Sequence, residues 1–80
     1  MASSSTSQTE LRFTVDSQFL KDLQARLGYE RGSEVARSAL TLLDWAITES
    51  QAGRVILSST SSGQDVHRLV MPELAKLKGR

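Results

Sequence analysis

The chain has 80 residues, enough for one small domain, with 10 Lys and Arg, 9 Asp and Glu, and a formal net charge of +1. It contains no cysteine and 1 histidine, which excludes disulfide bonds and leaves no cluster for a structural zinc ion. Because a core of this size seldom stabilises a fold alone, we expect a second subunit to complete it. The near-neutral charge gives no support by itself to nucleic-acid binding.

Residues 1–9 are polar and uncharged, and we expect them to form a disordered N-terminal arm. The next residues alternate, because Leu11, Phe13 and Val15 are apolar and the residues around them are polar: Glu10, Arg12 and Thr14. This alternation with a period of two residues predicts a β-strand with one buried apolar face and one solvent-exposed polar face. A lone strand leaves its backbone groups unpaired, and the nearby sequence offers no partner strand. We therefore expect antiparallel pairing with the same strand of a second copy.

Two helices are predicted after the strand. The first follows an N-cap at Asp16, and its apolar spacing ends at Gly28, a residue that tolerates the left-handed conformation after a helix. The second is predicted to follow an N-cap at Ser33, with Glu34 in the first turn, and to run to about Glu49 or Ser50. It carries one apolar stripe: Val35, Ala36, Ala39, Leu40, Leu43, Ala46 and Ile47.

Trp45 lies outside that stripe, on the same side of the second helix as Leu42. One interpretation is a singly exposed aromatic residue, which is ordinary on a protein surface. The other is that the segment that follows the second helix packs against Trp45 and Leu42. We favour the second interpretation because burial of a large aromatic side chain stabilises the fold.

Residues 52–80 form a C-terminal extension with the composition of a hairpin. Two apolar runs, Arg54–Ser58 and Val66–Met71, flank a loop rich in Ser, Thr and Gly. This pattern predicts a β-hairpin with Val55 and Leu57 on one face. The loop is too long to fix the register of the pairing.

The hairpin is expected to end at Pro72, because proline has no N–H to donate to a strand ladder. Glu73–Arg80 would then be a short polar tail with Leu74 and Leu77 on one side. The basic surplus of the chain lies in this C-terminal part. The alternative is that the whole extension is a disordered basic tail.

The order strand, capped helix, short connection and longer helix resembles the ribbon-helix-helix family, the Arc, MetJ and CopG type of DNA-binding dimer. The resemblance covers residues 10–51. It is carried by Leu11-Arg12-Phe13-Thr14-Val15 and by Gly32-Ser33-Glu34-Val35-Ala36-Arg37-Ser38-Ala39-Leu40. It implies an α+β, mainly helical fold that forms an intertwined homodimer. The hairpin-like C-terminal extension, predicted above from its own residues, is an addition to this fold. The dimer core would then contain Leu11, Phe13, Val15, Leu20, Leu23, Ala39, Leu40 and Leu43.

In this family the paired strands enter the major groove of DNA, so the resemblance implies base contacts from Glu10, Arg12 and Thr14. Arginine can bind guanine bidentately and threonine can contact a thymine methyl group. Glutamate can accept from cytosine, although phosphates repel it. The alternative for Arg12 is an ordinary solvated charge. The resemblance also implies phosphate contacts from the backbone amides of Gly32, Ser33 and Glu34 at the start of the second helix. The alternative there is a plain N-cap, and Arg31 is an additional candidate for phosphate contact.

The sequence thus predicts a sequence-specific DNA-binding homodimer that regulates transcription, most simply as a repressor. Because the N-terminal half of the chain has no net positive charge, one dimer should bind DNA weakly, and we expect higher assembly along DNA. The alternative is an antitoxin or another protein-interaction module whose extension, residues 54–80, binds a partner protein.

We do not expect an enzyme, a metal site or a cofactor, because His67 has no companions for catalysis or metal binding. The sequence has no signal-peptide pattern, lipidation motif or long apolar run, so we expect a cytoplasmic protein without a membrane partner.

Overall fold

The computed structural model describes residues 7–77, which form an α+β fold that is mainly helical. Two helices come first, α1 (Ser17–Leu27) and α2 (Gly32–Gln51). A two-stranded antiparallel hairpin of β1 (Leu57–Ser58) and β2 (His67–Arg68) follows, and a short helix α3 (Pro72–Ala75) ends the described chain. Most of the predicted N-terminal arm, residues 1–6, lies outside the described residues, as do residues 78–80 of the predicted tail.

The predicted boundaries of α1 are confirmed. The side chain of Asp16 accepts a hydrogen bond of 2.8 Å from the backbone N–H of Phe19, which is the geometry of an N-cap. Gly28 has φ +74°, and the next residue, Tyr29, donates its backbone N–H to Gln24 at 2.9 Å. A left-handed glycine at this position ends a helix without the steric cost that a Cβ would bring.

The predicted N-cap of α2 at Ser33 is wrong. The helix begins at Gly32 with Arg31 as its N-cap, so Ser33 lies inside the first turn. The carboxylate of Glu34 accepts from the backbone N–H groups of Arg31, at 3.0 Å, and of Glu30, at 3.1 Å. Glu34 therefore orders the start of the helix, a role that sequence inspection assigned to the Ser33 hydroxyl.

The joint between α1 and α2 is tight. A Cβ built on Gly32 would lie 2.9 Å from Cδ2 of Leu20, so any larger residue here would require the Leu20 side chain to move. Val35 is buried at the same joint. The hydroxyl groups of Tyr29 and Ser38 are 2.7 Å apart and hydrogen bonded, which ties the connection to α2.

The C-terminal hairpin is present but shorter than predicted. Leu57 pairs with Arg68 and Ser58 with His67, whereas the sequence suggested longer strands. One further bond, from the N–H of Leu69 to the carbonyl of Ile56 at 2.8 Å, extends the pairing toward the helices. Val55 and Leu57, the two residues expected to share a face, are both exposed.

The predicted polar tail is partly helical instead. Pro72 is the first residue of α3, a position where its missing N–H costs nothing. Leu74 is buried, and α3 packs against α2. Leu74 also borders a pocket with Ser50 of α2 and with Ile56 and Leu69 of the hairpin. The extension is thus anchored at the carboxyl end of α2.

The expectation that the extension lands on Trp45 and Leu42 is wrong. Trp45 is 50 % exposed and Leu42 63 %, and among residues 7–77 the shallow groove they share is lined by residues of α2 and by Tyr29. The turn after α2 explains the difference. The chain turns at Gly53, which has φ +83°, and the N–H of Arg54 donates to the carbonyl of Glu49 at 3.0 Å. After this turn the hairpin borders a pocket with Ser50.

Candidate nucleic-acid interface

An apolar groove runs along the segment that precedes α1. Every second residue of that segment lines it, namely Thr9, Leu11, Phe13 and Val15. The two helices supply the rest of the lining: Phe19, Leu20, Leu23, Gly32, Ser33, Val35, Ala36 and Ala39. The groove has a volume of about 600 Å³. The alternation read from the sequence therefore corresponds to one apolar face turned toward the helices.

The groove is open, and its segment has no partner in the described chain. Leu11 is 68 % exposed and Phe13 69 %. Within residues 7–77, no hydrogen bond is made by the backbone of residues 7–15. The predicted strand is thus not formed inside one chain, since a strand needs a neighbour to bond. Its backbone groups are left to water or to another molecule.

The polar residues of the segment do not line the groove. Glu10, Arg12 and Thr14 are exposed, and none of them borders the apolar lining. Within residues 7–77, Arg12 has no acidic partner within ion-pair distance. Its guanidinium can therefore offer all of its donors to a ligand.

The amino end of α2 borders the same groove through Gly32 and Ser33. Among the residues that the structure describes, nothing accepts a hydrogen bond from either backbone N–H. Glu34 differs, because its N–H already donates to the carbonyl of Arg31 at 3.2 Å. Its carboxylate also places a negative charge beside this helix end. Of the four residues expected to contact phosphate, Arg31, Gly32 and Ser33 thus remain suited to the task.

The structure divides the expected dimer core into two groups. Leu20, Leu23 and Ala39 line the groove with the segment. Leu40 and Leu43 do not line it and are 55 % and 40 % exposed, on α2.

Three further apolar residues of the groove were absent from the expected core: Phe19, Val35 and Ala36. The signal for them was available in the sequence. Phe19 precedes Leu23 by one helical turn, and Val35 precedes Ala39 by one turn, so each shares a helix face with a residue that was assigned to the core.

No family model matches the chain, and neither a curated protein nor a solved structure matches it. Among residues 7–77, none of the helices combines the length and the apolar character that crossing a membrane would require.

Proposed function

We propose that two copies of this chain form a ribbon-helix-helix dimer that binds DNA in a sequence-specific manner and represses transcription by occupying an operator. In this dimer residues 11–15 of the two copies pair antiparallel across a two-fold axis. The resulting two-stranded ribbon lies in the major groove, which is wide enough to admit it. The proposal rests on the groove and on the segment that lines it.

The single observation that carries the proposal is a strand-like segment with an apolar face on the helices and no hydrogen-bonding partner. Leu11 and Phe13 are both more than half exposed in one chain. Burying an apolar side chain of this size is worth about 1.5–3 kcal/mol, and two copies would bury four such side chains. The same pairing satisfies the backbone groups, whose desolvation would otherwise oppose burial. A second copy would bury the apolar side chains and also bond the backbone groups.

The proposed contacts with DNA come from two places. Arg12 and Thr14, on the face opposite the groove, contact base edges, and Glu10 flanks them. At the amino end of α2 the unbonded N–H groups of Gly32 and Ser33, with the exposed Arg31, bind a backbone phosphate. Gly32 and Ser33 line the same groove as Leu11, Phe13 and Val15, so this helix end lies beside the segment that would form the ribbon.

An antitoxin-like role for residues 54–80 receives less support. An extension that folds only on a protein partner should lack structure in the single chain. Here it contains a hairpin and a helix, and Leu74 is buried. The ordered extension therefore weakens the antitoxin-like alternative.

The test begins with selection of preferred sites from random duplex DNA by the full-length protein. Binding to the selected site and to a scrambled site is then measured over a range of salt concentrations for the native chain, Arg12→Ala and Arg26→Ala. Arg26 is the matched control, because it is an exposed arginine in the last turn of α1.

We expect Arg12→Ala to lose about 10- to 100-fold of its preference for the selected site, as the loss of a bidentate base contact should. Arg26→Ala should keep that preference. Failure of the native chain to enrich any sequence at low salt would contradict the proposal. Equal preference in all three proteins would contradict the role given to Arg12.

A further inference from the structure

The C-terminal hairpin has two outer edges, and its hydrogen-bond pattern determines which backbone N–H and C=O groups point outward from each edge. Leu69 donates to Ile56, so these two residues form a hydrogen-bonded pair of the antiparallel ladder. The next pair, Leu57 and Arg68, is therefore a non-hydrogen-bonded pair. The N–H and C=O groups of such a pair point away from the partner strand. Leu57 thus presents its backbone on the β1 edge, and Arg68 on the β2 edge.

The two edges differ in charge. From Val55 to Thr60 the β1 side carries no charged residue. The β2 side carries Arg68, and beside it Asp65 and His67 lie 3.1 Å apart. Proteins protect exposed strand edges with charges, because a bare edge pairs with other strands. The β2 edge has this protection and the β1 edge lacks it.

The β1 edge is also apolar and uncovered. Val55 is 49 % exposed and Leu57 54 %. Within residues 7–77 no group bonds to the outward N–H or C=O of Leu57. A two-stranded hairpin is at best marginally stable in water, and added strands stabilise it. Such an edge is suited to receive one more strand.

We propose that β1 pairs antiparallel with β1 of a second copy, forming a four-stranded sheet in the order β2, β1, β1 and β2. Pairing of residues 55–57 with themselves across a two-fold axis sets Arg54 opposite the uncharged Ser58, so it brings no charges together. In the register that sets Val55 opposite Leu57 of the second copy, both residues direct their backbone groups toward the shared edge. Each apolar side chain then meets an apolar neighbour. The edges that remain are the two β2 edges, which Arg68 protects.

A second copy is the occupant that these features favour, because the edge is complementary to itself and has no charge to select a different partner. The contact is separate from the proposed ribbon. α2 contains 20 residues and is about 30 Å long, with the groove at its amino end and the hairpin beyond its carboxyl end. One chain can therefore use both interfaces, and the β1 contact would join ribbon dimers on neighbouring DNA sites.

The test is the subunit number of the full-length chain, measured by sedimentation and native mass spectrometry at several concentrations. Leu57→Pro removes an N–H that points outward, so the edge is blocked and no ladder bond inside the hairpin is lost. Arg68→Pro is the matched control, because it makes the same backbone change on the other edge. Leu57→Lys adds a charge to the β1 edge without proline, and it decides the question if Leu57→Pro reduces the helix content.

We expect the native chain and Arg68→Pro to form assemblies larger than a dimer, because each ribbon dimer presents two β1 edges, and we expect Leu57→Pro and Leu57→Lys to fall to the dimer. An unchanged number in both Leu57 variants would overturn the proposal. So would an equal decrease in Arg68→Pro. The outcome is distinguishable from failure of the ribbon dimer: without the ribbon, the native chain would be a dimer, the Leu57 variants monomers, and substitution of Phe13 without effect on mass.

Discussion

The chain contains strand-like sequence in two regions, and only one of them forms strands within a single copy. The runs that contain β1 and β2 are joined by a loop, and they pair with each other. Residues 11–15 are followed directly by α1 and pair with nothing in residues 7–77. An alternating pattern thus determines which side chains share a face. Pairing depends in addition on a second strand within reach, and for residues 11–15 we propose that another copy supplies it.

The largest effect is expected from Phe13→Asp, which would disrupt the proposed ribbon and leave the hairpin intact. In the proposed dimer this substitution buries a carboxylate without a partner, at a cost of about 3–5 kcal/mol for each copy. The ribbon interface should be lost at micromolar concentration, and sedimentation would detect the decrease in subunit number. The control is Thr14→Asp, which adds the same charge one residue further along, on the exposed face.

Thr14→Asp should keep the native subunit number and weaken DNA binding, because the new carboxylate would face phosphates and base edges. If both variants dissociate alike, the two faces of the segment are not distinct. If neither dissociates, the ribbon is not an interface.

A smaller effect is expected from Leu74→Ala, which tests the anchor of the extension. Leu74 is 8 % exposed, and truncation of a buried leucine costs about 2–5 kcal/mol. We expect a loss near the lower limit, because α3 has only 4 residues and borders an open pocket. Hydrogen exchange should become faster in β1 and β2 and stay unchanged in α1.

The control for Leu74→Ala is Val70→Ala, at a side chain that is exposed on the same extension. It should change the free energy of unfolding by less than about 0.5 kcal/mol in urea denaturation. A similar loss in the two variants would mean that Leu74 does not anchor the extension to α2.

The smallest effect is expected from Asp16→Ala, at the junction between residues 11–15 and α1. Asp16 accepts from the N–H of Phe19 at 2.8 Å, and loss of an N-cap costs about 1 kcal/mol. Thermal unfolding should detect this loss. Asp16→Asn keeps a capping oxygen and should recover most of the stability. Equal losses in the two variants would indicate that the carboxylate charge, not the cap, matters.

Local signals in the sequence were sufficient for part of the fold. Asp16 and Gly28 determine the ends of α1 because each acts on its own backbone, within three or four residues. The apolar alternation of residues 11–15 correctly predicted a face turned toward the helices. Such short-range effects depend little on the rest of the chain.

The wrong predictions have two causes. In one case two residues were both suited to the same helix end, and in the other the contact depended on the path of the chain after α2. Ser33 and Glu34 are both suited to the start of a helix, and geometry gave the backbone N–H groups to Glu34. The cover expected for Trp45 depended on where the chain turns after α2. That turn passes through Gly53, with φ +83°, and includes the contact between Arg54 and Glu49, and its direction has no simple pattern in the sequence.

The central claim is that residues 11–15 of two copies pair with each other, and isotope-filtered NMR tests it most directly. Equal amounts of labelled and unlabelled Leu57→Lys protein are unfolded together and refolded, so that the β1 contact does not interfere. The account predicts nuclear Overhauser effects between backbone protons of residues 11–15 that belong to different copies. Filtered spectra without any such effect at concentrations where the protein is dimeric would contradict it.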